Sequence, residues 1–129
     1  MPSKSAAALM AKAARAVVSA RVLLEQGDVD GACNRAHYAM FDAAQAALLM
    51  SGVPAPDATG KTHHGLINAF SAYLVKDGPV SKELGRQLKR AEEMRLIADY
   101  NAESVTLADA SGLVVNAEGF VTAMQGLYS

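Results

Sequence analysis

The sequence predicts an all-α protein, an antiparallel up-and-down bundle of about five helices. Apolar residues recur at spacings of three and four along most of the chain, and about one residue in five is alanine, the strongest helix former. No segment has the sustained alternation of apolar and polar residues that is typical of a strand. Short connections favour helices that alternate in direction. With 129 residues, the chain is expected to form one domain over residues 1–129.

The first two helices are predicted from apolar spacing and from the residues that separate them. Helix one is expected from about Ser5 to Gln26, where Gly27 ends it. Asp28 suits the N-cap of helix two, expected from about Val29 to Ser51. The supporting positions are Leu9, Ala13, Ala16, Ala20 and Leu23 in the first helix and an alanine stripe, Ala32, Ala36, Ala39 and Ala43, in the second. Such a stripe lets another helix approach closely.

The middle of the chain is predicted to contain a loop and a third helix. Two prolines and two glycines mark Gly52–Gly60 as a loop, which serves either as a plain connector or as a lid over a site. Thr62 is expected to cap a helix that runs to about Val75 and ends at Asp77–Pro79. Its predicted apolar face consists of Leu66, Phe70, Tyr73 and Leu74.

Two further helices complete the predicted bundle. Ser81 is expected to cap the fourth, which runs to about Tyr100, and the fifth begins near Thr106 with Asp109 as its capping partner. The predicted inward faces are Leu84, Leu88, Ala91, Arg95 and Ala98 in the fourth helix and Leu113, Ala117, Phe120, Met124 and Leu127 in the fifth. The predicted outward face of the fourth helix carries Arg86, Lys89, Arg90, Glu92 and Glu93.

Composition narrows the function classes. The net charge is −1 and the pI about 6.3, which argues against a strongly basic nucleic-acid binder but allows a local basic patch. The chain has no apolar run of about 18 residues and starts without the apolar core of a secretory signal. We therefore expect a cytoplasmic protein with no membrane partner. The hydrophobic fraction of 51% indicates either a subunit interface or simply the abundance of alanine.

Arg95 is the polar residue that most needs a partner. It lies on the predicted apolar face of the fourth helix, where a guanidinium requires a carboxylate, a phosphate or carbonyl groups. Asp99 stands one turn further on and can pair with it, with the Tyr100 hydroxyl nearby. Two interpretations stay open, a structural Arg95–Asp99 pair and an arginine that binds phosphate in a cleft.

Two other places carry candidate phosphate-binding residues. Arg35 and His37 point about 200° apart on a helix, so they do not form one site with each other. A histidine in this position is more often a structural hydrogen-bonding residue than a catalyst. Lys61 and His63 stand at the predicted start of the third helix, where backbone amides and the helix dipole favour anions. The candidate nucleotide- or phosphate-binding residues are Arg95, Arg35, Lys61 and His63.

No metal site and no cofactor are predicted. His63 and His64 diverge around a helix, and no further Cys or His stands at ligand spacing. Glycine-rich phosphate loops and a nucleophile elbow are missing from the sequence. The single cysteine, Cys33, lies among helical alanines and is interpreted as a small core residue rather than a nucleophile.

Four sequence blocks follow one another in a characteristic order. They are Asn34–Phe41 (NRAHYAMF), Lys61–Gly65 (KTHHG), Arg95–Tyr100 (RLIADY) and a final helix with Phe120–Val121. The first is similar to the Ser/Asn-Arg-Ala-Tyr-Tyr-Ala-Met-Phe stretch of the HEPN family, with His in place of one Tyr. The third resembles the family's Arg-x-x-Ala-Asp-Tyr signature. The resemblance spans nearly the whole chain.

The resemblance implies a bundle of four or five helices that commonly dimerises. Many members are encoded beside a small nucleotidyltransferase, often as a toxin–antitoxin pair. Catalytic members are metal-independent endoribonucleases that use an Arg and a His separated by four to six residues and paired across the dimer. Here Tyr100, Asn101 and Ala102 stand at those positions, and a tyrosine is a poor general base at neutral pH. In some relatives a tyrosine near this motif is adenylylated, and Tyr100 is the nearest match.

These observations lead to one main interpretation and two alternatives. The main one is a homodimeric, HEPN-type accessory or toxin-like partner of a small nucleotidyltransferase that binds nucleotide or RNA phosphate near Arg95. The first alternative is a metal-independent endoribonuclease in which Arg95 holds the phosphate and Asp99, Tyr100 or a histidine transfers protons. The second is a non-catalytic helical interaction domain in which Arg95 and Asp99 form a buried tie.

Overall fold

The computed structural model describes residues 5–53, 63–100 and 105–128, without the side chains of His63, Asp99, Tyr100 and Tyr128. Within these ranges the chain forms α1 (Ala6–Glu25), α2 (Val29–Met50), α3 (His63–Phe70), α4 (Lys82–Tyr100) and α5 (Leu107–Tyr128). A π-helical segment, Ser71–Val75, continues α3. The described residues contain no strand, and the predicted all-α bundle is confirmed. None of their helices is long and apolar enough to cross a bilayer.

The helix ends follow the predicted punctuation. Three predicted N-caps are formed, in each case by a side-chain oxygen that accepts a hydrogen bond from the backbone three residues on: Asp28 (2.9 Å), Ser81 (3.2 Å) and Thr106 (3.1 Å). Gly27 ends α1 with a φ of +85°, in the left-handed region where other residues are strained. The predicted Thr62 cap, and the predicted loop beyond Val53, lie outside the described residues.

The central helix of the bundle is α2, which contacts each of the other four helices. Its predicted alanine stripe is fully buried, and so are Ala13 and Ala20 on the face of α1 that packs against the core. Small side chains on both helices allow their backbones to approach closely, which brings many atoms into contact. The stripe is therefore covered within the chain itself.

Two residues of the predicted inward faces are exposed instead. Tyr73 lies in the π-helical segment, where the wider turn rotates side chains away from the 3.6-residue period that predicted its burial. Leu127 lies in the last turn of α5, beyond Met124, the last buried residue of that helix. The remaining predicted inward residues of α3 and α5 are buried.

Candidate functional site

Glu92 of α4 holds together a histidine from α2 and an arginine from its own helix. Its carboxylate accepts a hydrogen bond from Arg95 Nη2 at 2.9 Å and a second from Arg95 Nε at 3.3 Å. The oxygen that binds Nε also lies 3.0 Å from His37 Nε2. A carboxylate can only accept hydrogen bonds, so His37 Nε2 carries a proton in this contact. We call His37, Glu92 and Arg95 the Glu92 cluster.

Helix geometry brings these three side chains to one place. Glu92 and Arg95 are three residues apart on α4, which makes them neighbours on its surface. His37 lies beside the buried alanines of α2, and its ring packs against Phe41 with centroids 4.4 Å apart. The Tyr38 ring is nearly perpendicular to the same imidazole, with centroids 5.1 Å apart. The aromatic contacts hold the imidazole towards α4.

The Glu92 cluster is largely shielded from water. The exposed fraction of the side chain is 0% for His37, 12% for Glu92 and 20% for Arg95. Burial raises the pKa of Glu92, but the hydrogen bonds from Arg95 and His37 outweigh burial and leave that pKa below its usual value. Glu92 is therefore ionised at neutral pH and holds the Arg95 guanidinium in one orientation.

A cavity of about 270 Å³ lies beside Arg95, between α4 and the start of α2. Its other described lining residues are Asp30, Gly31, Cys33, Asn34 and Ala98. A side chain at Gly31 would collide with the carboxylate of Asp28, the N-cap of α2, so this position of the lining favours glycine. Cys33 is buried, as predicted, and burial followed by the charges of Asp30 and Asp109 raises its pKa to about 11. Its thiol is neutral and poorly nucleophilic at physiological pH.

A second, larger cavity lies between α1 and α2. It measures about 670 Å³, and its described lining residues are Lys12, Arg15, Ala16, Ser19, Asn34, Arg35, Tyr38 and Asp42. We call it the basic groove. Asn34 lines both the basic groove and the cavity at Arg95. Arg35 and Arg95 thus lie in two different cavities that share one wall residue.

The structure gives Arg95 a partner that the sequence analysis had not assigned. Glu92 was predicted among residues that lie mostly on the outward face of α4, and for Glu92 this is wrong, because its side chain is only 12% exposed and its carboxylate accepts hydrogen bonds from Arg95 and His37. The side chain of Asp99 lies outside the described residues, so an Arg95–Asp99 contact stays a prediction.

Of the other predicted binding residues, only Arg35 has a described side chain, and it lines the basic groove rather than the cavity at Arg95. Arg35 is exposed and His37 is buried, as their predicted divergence requires. Lys61, together with the side chains of His63 and Tyr100, lies outside the described residues. Among the residues that are described, no group of three His, Cys, Asp or Glu side chains could hold a metal ion.

A signal for Glu92 was present in the sequence. Glu92 stands three residues before Arg95, a spacing that pairs opposite charges as readily as the four-residue spacing to Asp99. His37 stands among buried alanines, and a buried imidazole needs a hydrogen-bonding partner. The spacing alone therefore offers Glu92 as a partner for Arg95, but it does not place His37 beside that carboxylate.

Fold and site together define a small all-α domain with an arginine held beside a cavity by a carboxylate. A family model described as the HEPN domain matches residues 6–127, nearly the whole chain. The chain therefore belongs to the HEPN family, as its four sequence blocks indicated.

Curated relatives from bacteria and archaea support the same family. A UPF0332 protein from Gloeobacter violaceus is 32% identical over 115 residues, which cover 88% of this chain and 87% of the relative. A UPF0332 protein from Thermotoga maritima is 34% identical over 110 residues, covering 84% and 79%. A protein named "putative toxin" from Methanocaldococcus jannaschii is 32% identical over 103 residues, covering 80% and 73%.

Proposed function

We propose that this chain is a toxin-like HEPN partner of a small nucleotidyltransferase, and that it binds a phosphate group of RNA or of a nucleotide beside Arg95. One observation carries the proposal: Arg95 lines a cavity while Glu92 holds its guanidinium in place. Guanidinium groups match the geometry of phosphate oxygens, and an arginine that is already oriented loses less freedom on binding.

The size and lining of the cavity favour a phosphate over a larger group. Its volume of about 270 Å³ lies below the usual range of pockets that enclose a whole small molecule. Asn34 adds an amide that can donate to a phosphate oxygen, whereas Asp30 repels anions. We therefore expect the phosphate to bind on the side of Arg95 and Asn34.

The toxin-like role and the partner rest on family evidence. The relative from Methanocaldococcus jannaschii carries the word toxin in its name. The resemblance implies a nucleotidyltransferase encoded nearby as the other member of the pair. Co-expression with the product of that neighbouring reading frame should yield a complex that survives size-exclusion chromatography. Two separate peaks would count against the paired role.

The phosphate site is tested with two arginines of the same helix. Arg95→Ala should weaken binding of ATP or of a short labelled RNA about 10- to 100-fold, because charge-assisted hydrogen bonds are lost. Arg86→Ala removes the same charge from the exposed face of α4 and should leave affinity unchanged. Arg95→Lys keeps the charge but not the bidentate geometry. It is the more conservative substitution and therefore the control for misfolding of Arg95→Ala. Parental affinity in Arg95→Ala would contradict the proposal.

A metal-independent endoribonuclease is the second candidate. The observation in its favour is that Glu92 links Arg95 to a histidine, His37. That histidine is fully buried, so it does not reach a bound RNA in this conformation. We therefore expect weak or no cleavage, because a missing acid–base group typically costs 10²–10⁴-fold in rate.

The cleavage assay uses purified protein and labelled RNA, with and without a chelator. Residual cleavage should persist with the chelator, since the resemblance implies metal-independent chemistry, and should vanish in Arg95→Ala. Robust cleavage that depends on Arg95 would establish the ribonuclease instead. Cleavage that a chelator abolishes would contradict both candidates.

Tyr100 is the proposed site of adenylylation by the partner. Incubation with the neighbouring nucleotidyltransferase and ATP should add one AMP to the chain, as seen by intact mass. Tyr100→Phe should abolish the addition, whereas Tyr73→Phe, which alters an exposed tyrosine of the π-helical segment, should not. Failure to bind either a neighbouring protein or a nucleotide would favour the interaction-domain alternative.

We also propose a homodimer that forms through α4 rather than through the alanine stripe of α2, which is covered within the chain. Leu96 and Ile97 are exposed next to Arg95. A stable dimer should bury more than about 1,000 Å² in total. Light scattering at tens of micromolar should report a dimer, and Leu96→Glu with Ile97→Glu should give a monomer. Val18→Glu, on exposed α1 surface, is the matched control. A monomeric parent would contradict this.

A further inference from the structure

The basic groove carries positive charge that the Glu92 cluster does not use. Lys12 and Arg15 project from successive turns of α1, Arg35 projects from α2, and all three are exposed. None of the three makes an ion pair with another described residue. Among the described lining residues only Asp42 is acidic, so three cations face one carboxylate. A groove with this balance attracts an anionic ligand even though the whole chain has a net charge of −1.

Tyr38 adds an aromatic surface to the same groove. Its residue is 39% exposed, and the Arg35 guanidinium carbon lies 5.8 Å from the centre of the ring. Proteins that bind single-stranded nucleic acid combine cations along the backbone with aromatic rings on which bases stack. An acidic peptide would need the cations but not the ring. The pairing of Tyr38 with three cations therefore favours a nucleic-acid strand.

The basic groove adjoins the cavity at Arg95. It is large enough for the base and sugar of a nucleotide, which the smaller cavity does not hold. Asn34 lines both the basic groove and the cavity at Arg95. The ring centroids of Tyr38 and of His37, a member of the Glu92 cluster, lie 5.1 Å apart. A volume of about 670 Å³ suits a base with its sugar, whereas about 270 Å³ suits a phosphate. We infer that a single-stranded RNA crosses both cavities, with one base stacked on Tyr38 and its backbone held by Lys12, Arg15 and Arg35.

This inference rests on the proposed function for its choice of RNA and for the phosphate at Arg95. The charge and stacking in the groove are separate observations, so the two can fail separately. The probe is a fluorescein-labelled oligouridylate of about 12 nucleotides, and binding is followed by anisotropy from low to moderate salt.

The main variant replaces Lys12, Arg15 and Arg35 with alanine. We expect affinity at low salt to fall at least about tenfold, and the slope of log affinity against log salt to become shallower by about 2, because each phosphate contact on a single strand contributes about 0.7. The matched control replaces Arg86, Lys89 and Arg90 on α4, which line a separate surface cavity with Glu83 and Glu93. That control loses the same charge and should bind as the parent does.

Stacking is tested without any change in charge. Tyr38→Leu should weaken binding by about 5- to 100-fold, and Tyr38→Phe should bind as the parent does, since base–aromatic stacking needs the ring and not the hydroxyl. A 12-base-pair RNA duplex should bind more weakly than the single strand, because its bases are already stacked. Thermal melts of each variant show that the fold is kept.

The outcomes separate the groove from the site at Arg95. A loss in the groove variant and in Tyr38→Leu, with the α4 control unchanged, supports the inference. If Arg95→Ala loses affinity while the groove variant does not, the groove inference fails and the phosphate site stands. The reverse pattern supports the groove and contradicts the phosphate site. Equal losses in the groove and control variants, no binding of the oligonucleotide, or tighter binding of a polyglutamate peptide would each overturn the inference.

Discussion

Two Arg–Glu pairs on α4 have the same residue types, order and spacing, but they lie in different surroundings. Glu83 and Arg86 meet at 2.8 Å with side chains 62% and 67% exposed. Glu92 and Arg95 meet at 2.9 Å with side chains 12% and 20% exposed, and His37 of α2 binds the same carboxylate. In Glu83 the hydrogen bond from Arg86 lowers the pKa in open solvent, while in Glu92 two donors overcome the effect of burial.

The difference shows what a neighbouring helix adds to an ion pair. An exposed pair is screened by water and competes with the many other conformations of its long side chains, so it contributes little. A shielded pair with a third partner is fixed, and removing one member takes a charged hydrogen-bonding partner away from the others in a site with little water. Fixed geometry is also what a phosphate site requires. Arg95 lines its cavity together with residues of α2, whereas Glu83 and Arg86 line a cavity formed by other residues of α4 and Asn116 of α5.

The largest contrast is expected in stability. Glu92→Ala should lower the free energy of unfolding by about 3 kcal/mol, because Arg95 and His37 lose a shared partner in a site with little water. Glu83→Ala should leave the denaturation midpoint unchanged within error. Urea titrations followed by circular dichroism measure both, and equal effects would show that the two pairs are equivalent.

A smaller effect is expected from the histidine. His37→Phe keeps a ring against Phe41 but removes the hydrogen bond to Glu92, at a cost of about 1–2 kcal/mol. His64→Phe alters an exposed histidine of α3 and is the control. If His37→Phe were as stable as the parent, the imidazole would contribute packing only, and its hydrogen bond to Glu92 would not stabilise the fold.

The pH dependence of stability tests the contribution of the ionised Glu92. Glu92 has a lower pKa in the folded chain than its ordinary value of 4.5, so it favours folding above that pH and loses its contribution as the pH falls through the folded pKa. As the pH falls below about 4.5, the parent should therefore lose stability more steeply than Glu92→Gln does. Unfolding curves at several pH values test this, and parallel pH profiles would contradict it.

The smallest effect concerns the cavity rather than the pair. Asp30→Asn removes the negative charge from the lining of the cavity at Arg95, and it should tighten ATP or RNA binding by a few-fold through weaker repulsion. Glu93→Gln, at the separate surface cavity of α4, is the control for a general change in net charge. Weaker binding by Asp30→Asn would indicate that the ligand is not anionic at this position.

The contrast between the two pairs also shows which features of the fold and of the site could be predicted from the sequence. The caps at Asp28, Ser81 and Thr106 and the buried alanines of α2 were predictable, because they depend on residues close together in the chain. Glu92 was assigned to solvent because a helix period alone does not show that His37, 55 residues earlier, lies against it. Tyr73 was misassigned because the π-helical segment changes the helix period without a sequence signal that we recognised. The site is formed by contacts between segments that are distant in the chain, and such contacts cannot be predicted from local residue spacing.

Phosphate binding at Arg95 is best tested by side-chain NMR of Arg95 and Arg86. The Nε–H resonances of Arg95 and Arg86 can be assigned from the two single variants and followed while a 5′-phosphorylated RNA dinucleotide is added. We expect a saturable shift for Arg95 and none for Arg86, because Glu92 holds Arg95 beside the cavity that it shares with α2, whereas the Arg86 side chain is 67% exposed on the surface of α4. An Arg95 resonance that does not move, or equal and unsaturated shifts of both arginines, would contradict it.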